Sequence, residues 1–140
     1  MAAFAKPATF EEIDHTADWA YRVAGSSLAA LFLAAAQGLY YLAGLELAEE
    51  PRITREIRLE GVDAESLLVA WLNELLYLHE CENLGFDQLE ILSLDAQSLQ
   101  AQVAGAPVTQ WVKDIKAVTY HNLAICSTEA GFEVTLVIDV

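Results

Sequence analysis

Between Asp18 and Ala24 the chain alternates: Trp19, Tyr21 and Val23 occupy one phase, and Asp18, Ala20, Arg22 and Ala24 the other. A period of two predicts a half-buried strand, and the phase puts Asp18 on its more polar face. Residues 9–13 predict a strand before it, with Asp14-His15-Thr16-Ala17-Asp18 as the polar turn between the two. Gly25-Ser26-Ser27 stops the second strand and offers an N-cap to a helix over 28–42. That helix is apolar nearly all round, so it is expected at the centre of the fold. Gly38 weakens it by ~1 kcal/mol relative to Ala, for which close packing against a neighbour is one reason. Gly44 is placed to end it, and 46–51 reads as an acidic loop.

Alternation returns over 53–60, where Ile53, Ile57 and Leu59 share a phase with Arg55 while Thr54, Glu56, Arg58 and Glu60 face out. Asp63 is placed to cap a second helix over 64–80. Its stripe of Leu67, Leu68, Trp71, Leu72, Leu75 and Leu76 has the spacing of a core-facing helix. Residues 89–94 and 98–104 predict two strands joined by Asp95-Ala96-Gln97 as a hairpin. A loop holding Pro107 is expected over 105–111. Strands over 115–126 and 132–140, with a turn at 128–131, complete the reading. Two helices set among runs of strands predict an α+β fold, with a mostly antiparallel or mixed sheet packed on two long helices in one domain spanning 1–140.

A chain of 140 residues suits one domain. Hydrophobic residues make up 55% of it and the mean hydropathy is +0.32. Its longest apolar stretch, 28–36, is far short of the ~20 residues of a membrane helix. No basic segment precedes an apolar one as in a secretory leader, so a cytoplasmic location is expected. Cys81 and Cys126 form no CxxC and are expected to be reduced core thiols, although the spacing also permits a disulfide.

The net charge is −14, with no Lys or Arg between Leu59 and Val112 and only Lys113 and Lys116 after it. Such a surface repels phosphate backbones, whose affinity for proteins comes mainly from cationic side chains, so direct nucleic-acid binding is not expected. It suits divalent cations and steering toward a basic partner, although solubility is the simpler role for such acidity.

The phosphate-binding glycine loops and the GxSxG elbow are absent. His79 and Cys81 lack further partners of zinc spacing. His15, His79 and His121 have no placed nucleophile to serve as general bases. Asp14 and Asp18, four apart in a turn, suit either a hard cation or Asx-turn bonds to nearby N–H groups. Asp139 is an acidic residue in an otherwise apolar strand, next to Val140. That carboxylate and the α-carboxyl of Val140 are two adjacent anions, costly to bury, so either water or a cation meets them. Lys116, beside Val118 and Tyr120 in phase, is a surface lysine pairing with a carboxylate or a lone positive group open to a phosphate or a partner.

Together these segments resemble the archease family. Phe10-Glu11-Glu12-Ile13-Asp14-His15-Thr16-Ala17-Asp18 is similar to its opening signature, 67–77 to its second helix, Ile115-Lys116-Ala117-Val118-Thr119-Tyr120-His121 to its late strand and Val137-Ile138-Asp139-Val140 to its terminus. The resemblance implies an accessory protein, not an enzyme. Its partner would be the RtcB-type RNA ligase of tRNA splicing and RNA repair, whose guanylylation and multiple turnover it would promote. It implies a bound divalent metal, calcium, held by Asp18, Asp139 and an oxygen of Val140, with Asp14 and His15 close behind. It also implies that Lys116 contacts the partner as the activating residue. Trp19-Ala20-Tyr21 departs from the smaller residues expected after Asp18, and the first helix is unusually rich in alanine. Two other readings stand beside this one. A metal-dependent phosphoryl-transfer or hydrolytic enzyme would use Asp14, Asp18 and Asp139 with His15 as base. A chaperone-like interaction module would draw on the high apolar content.

Overall fold

The computed structural model describes residues 9–13, 19–120 and 122–140. Among these residues eleven elements follow in order: β1 (Glu11–Ile13), β2 (Trp19–Gly25), α1 (Leu28–Ala43), β3 (Glu46–Leu47), β4 (Ile53–Glu60), α2 (Ala64–Glu82), β5 (Leu84–Leu94), β6 (Ser98–Gln110), β7 (Ala117–Thr119), β8 (Cys126–Thr128) and β9 (Gly131–Asp139). They form two sheets, antiparallel in every pairing among the described residues. The first runs β1-β2-β9-β7, with β8 also on β9; the second runs β3-β6-β4, with β5 also on β6. Both helices contact both sheets, so the α+β expectation holds with the strands divided between two sheets.

Helix α1 starts where Ser27 accepts from the Ala30 amide and ends where Gly44 takes a left-handed conformation. Its central position is explained by burial on several sides, including Leu31, Phe32, Ala35, Ala36, Leu39 and Tyr40. Two large residues spend their polar tips on its carbonyls. The Tyr21 hydroxyl donates to Ala35 at 2.8 Å, and the Trp71 indole N–H donates to Phe32 at 3.0 Å. These bonds remove the cost of burying the donors and tie α1 to β2 and α2. A Cβ on Gly38 would stand 2.9 Å from both the Phe10 and Tyr21 rings, which accounts for glycine inside this helix.

Asp63 caps α2 with the reciprocal Ser66 bonds of a capping box, and left-handed Asn83 ends it two residues beyond the expected limit. Strand β4 has the predicted bounds, and Arg55 in its inner phase reaches Glu82 at 2.6 Å. Four expectations are corrected. The loop expected over 105–111 is largely the continuation of β6, where Gly105 crosses Gly85 so closely that a Cβ would strike the Gly85 carbonyl. Glu46 and Leu47, expected in a loop, pair with that continuation. Among the described residues of the long strand expected over 115–126, only β7 and the first residue of β8 are strand, and Ile115, Leu123 and Ile125 pack on the core from outside any strand. Cys81 and Cys126 are exposed free thiols instead of core residues.

Candidate functional site

The last residues of β9 lie between two neighbours. On one side Trp19 is the register partner of Ile138; on the other Val118 partners Ile138 and Ala117 partners Asp139. The Lys116 amide extends the second ladder by donating to the Asp139 carbonyl at 2.7 Å. Alternation puts Trp19, Ile138 and Val118 on the inner face and Ala20, Val137 and Asp139 on the outer face. Ala20 and Val137 are buried there, whereas Asp139 and Val140 are exposed. The outer face therefore turns from apolar to acidic at the end of the sheet.

All four arginines are committed to carboxylates: Arg22 to Glu11, Arg52 to Asp87, Arg55 to Glu82 and Arg58 to Glu56. The Lys113 ammonium sits 2.8 Å from the centroid of the Trp19 ring, a cation–π contact. Lys116 is exposed and, among the described residues, is the cation with neither a carboxylate nor a ring partner. It also lines a cleft of about 470 Å³ with Leu76, His79, Glu80, Asp114 and Ile115.

The backbone around this end is fixed from three directions. Val112 and Lys113 both donate to the Ala43 carbonyl at the end of α1, at 2.6 and 3.2 Å. Trp111 stacks on His79 at 3.8 Å and meets Tyr40 edge-on at 6.2 Å. The Asn73 side chain, on α2, donates to the Val118 carbonyl at 3.2 Å and accepts from its amide at 2.8 Å. Burial lowers the His79 pKa against the opposing pull of Glu80 and Asp114, and its buried Nδ1 has no hydrogen-bond partner among the described residues.

Asp14, His15, Asp18 and His121 lie outside the described residues. The strand that follows Asp18 and the strand that ends at Asp139 are direct neighbours. Asp139 and Val140 are exposed at a sheet end, and a carboxylate oxygen is the donor a hard cation takes. Among the described residues no three His, Cys, Asp or Glu side chains converge as a complete metal cage. The donor chemistry thus fits a calcium-type ion in kind, while Asp139 needs further oxygens to complete a shell. His79 and Cys81 gather no third ligand. Lys113 on Trp19 and the Asn73 bridge were not singled out from sequence. Their only signals are a second cation three residues before Lys116 and an amide inside a leucine-rich helix.

The model of the archease protein family (MTH1598/TM1083) matches residues 10–140. The archease of Methanosarcina barkeri is 32% identical over 143 residues, covering 94% of this chain and 95% of its own. That of Saccharolobus islandicus strain M.14.25 is 34% identical over 137 residues, covering 94% and 99%. Among solved structures, Methanobacterium thermoautotrophicum protein 1598 superposes with a TM-score of 0.68 at 26% identity, over 94% of this chain and 99% of that one. A Thermotoga maritima protein described as an archease and possible chaperone gives a TM-score of 0.70 at 23% identity, over 93% and 96%, a likeness of fold.

Proposed function

The chain belongs to the archease family, and from that premise we propose that it is an accessory protein of an RtcB-type RNA ligase, promoting the ligase's guanylylation and multiple turnover without turning over substrate itself. The observation that carries this reading is Lys116: an exposed ammonium group without a partner among the described residues, at the sheet end that also carries Asp139. A lysine is a compact, mobile point charge, suited to reach a phosphate or carboxylate in a partner's site. The acidic remainder of the surface would steer the chain to a basic protein and away from bare RNA.

In this reading Asp139, Asp18 and Val140 supply oxygens to a divalent ion, calcium, with Asp14 and His15 nearby. The ion would supply fixed positive charge against clustered carboxylates at the docking end. Lys116 would then act on the partner, its backbone held to the Asp139 carbonyl.

The experiment is a turnover assay of a purified RtcB-type ligase with and without this protein. Wild type is expected to raise the number of ligations per ligase, and Asp18→Asn, Asp139→Asn and Lys116→Ala to lose that stimulation. Calcium binding, measured by calorimetry, should survive Lys116→Ala and be lost with the two aspartate changes. Unchanged stimulation in all three variants rejects the proposal.

A further inference from the structure

Strand β7 is three residues long, lies at the edge of its sheet and is flanked by chain outside helices and strands. A strand so short has little ladder of its own to fix it. On one side it pairs with β9; the Val118 amide and carbonyl are met by a single side chain, Asn73, at 2.8 and 3.2 Å. One amide group thus imitates an adjoining strand: its oxygen accepts, its nitrogen donates, and both bonds go to the same residue. Asn73 is part-buried in α2, where Asn is a poorer helix former than the Leu residues around it. An alanine would suit the helix better, whereas the amide supplies both bonds to Val118.

Lys116 and Asp139 lie within two residues of this contact: Val118 is two positions after Lys116, and its register partner Ile138 immediately precedes Asp139. The same α2 continues past Lys116, with Leu76, His79 and Glu80 lining the cleft that Lys116 also lines. Helix, edge strand and lysine therefore form one mechanical unit. We infer that Asn73 is a positioning residue, whose two bonds to Val118 hold β7 against β9 and so fix where Lys116 stands relative to Asp139. The functional half of this inference rests on the ligase-accessory reading; the mechanical half does not.

Two variants test it: Asn73→Leu, which keeps apolar packing and a good helix former, and Asn73→Asp, which keeps the acceptor and loses the donor. By amide hydrogen exchange, Asn73→Leu is expected to speed exchange at Val118 and Lys116 by at least about ten-fold while Val23 in β2 stays protected. Asn73→Asp should fall between. Unaltered exchange at Lys116 in Asn73→Leu overturns the inference whatever the ligase does.

In the turnover assay, run where every variant is fully folded, Asn73→Leu should lower stimulation. The double variant Asn73→Leu/Lys116→Ala should be no worse than Lys116→Ala, because a positioning residue has nothing left to position. Independent, multiplying losses overturn the positioning role. If Lys116→Ala itself keeps full stimulation, the ligase reading fails, and the exchange result alone then decides whether Asn73 holds the edge.

Discussion

The backbone amide of Lys116 donates to the backbone carbonyl of Asp139 at 2.7 Å. The residues singled out for opposite charge and different roles are thus tied through their main chains, not through an ion pair. Alternation sends neighbouring side chains to opposite faces of a sheet. Asp139 belongs to the outer phase and Lys116 to the phase of buried Val118. The carboxylate can therefore serve a cation while the ammonium stays free, a division that a direct salt bridge would cancel.

Removing that ammonium should leave the fold intact. Lys116 is exposed and its backbone bond does not depend on the side chain. Lys116→Ala is expected to change unfolding free energy by no more than about 0.5 kcal/mol, as surface substitutions do. Stimulation of the ligase should fall to the level of ligase alone. A variant that melts like wild type and still stimulates would remove Lys116 from the mechanism.

Asp139→Asn should separate metal binding from stability. The carboxylate is exposed, and the neutral amide keeps its shape, so the metal-free proteins should melt together. Calcium at about 100 times its dissociation constant stabilises a one-site protein by about 2.7 kcal/mol. For a chain of this length that is a rise of several degrees in Tm, expected for wild type and absent in Asp139→Asn. Equal calcium-induced shifts in both proteins, or none in either, would remove Asp139 from the ligands of any ion.

The elements legible in the sequence were those with one face buried and a local stop. Strand β4 alternates cleanly, α1 has Ser27 and Gly44, and α2 has Asp63. The continuation of β6 was not legible, because Gly105-Ala106-Pro107 has turn chemistry and only pairing with β5, and with β3 just beyond it, makes the segment a strand. Residues 115–126 erred in the other direction: apolar side chains there bury without a ladder. At the site, Asp139 and Lys116 stood out because each is a charge where its surroundings predict none. The Lys113–Trp19 contact and the Asn73–Val118 bridge depend on which strands and helix are neighbours, and no local pattern encodes that.

Gly38→Ala tests whether propensity or packing wins inside α1. The added methyl gains about 1 kcal/mol of helix propensity. It would also stand 2.9 Å from the Phe10 and Tyr21 rings, and Tyr21 is anchored by its bond to Ala35. Overpacking of such a site costs about 1–3 kcal/mol. The net expectation is destabilisation of about 1 kcal/mol, read as a lower midpoint in urea with unchanged slope. A higher midpoint would show that the rings yield freely.

His79 should make stability depend on pH in a definite direction. Burial lowers its pKa below the ordinary histidine value, outweighing the pull of Glu80 and Asp114. Between the folded-state pKa and about 6.5 the unfolded chain then binds more protons than the folded one, so stability rises with pH across that window. The contribution is fully present above about pH 6.5 and is lost as pH falls toward the folded-state value. His79→Phe keeps an aromatic ring against Trp111 and removes both the titration and the unpartnered Nδ1. Melting temperatures taken from about pH 5 to 7.5 should therefore climb less steeply for His79→Phe than for wild type. His15 and His121 are common to both proteins, so the difference between the two slopes belongs to His79. Identical slopes would mean that the imidazole gains a proton in the folded state as readily as in the unfolded one, and that its burial against Trp111 costs the charged form nothing.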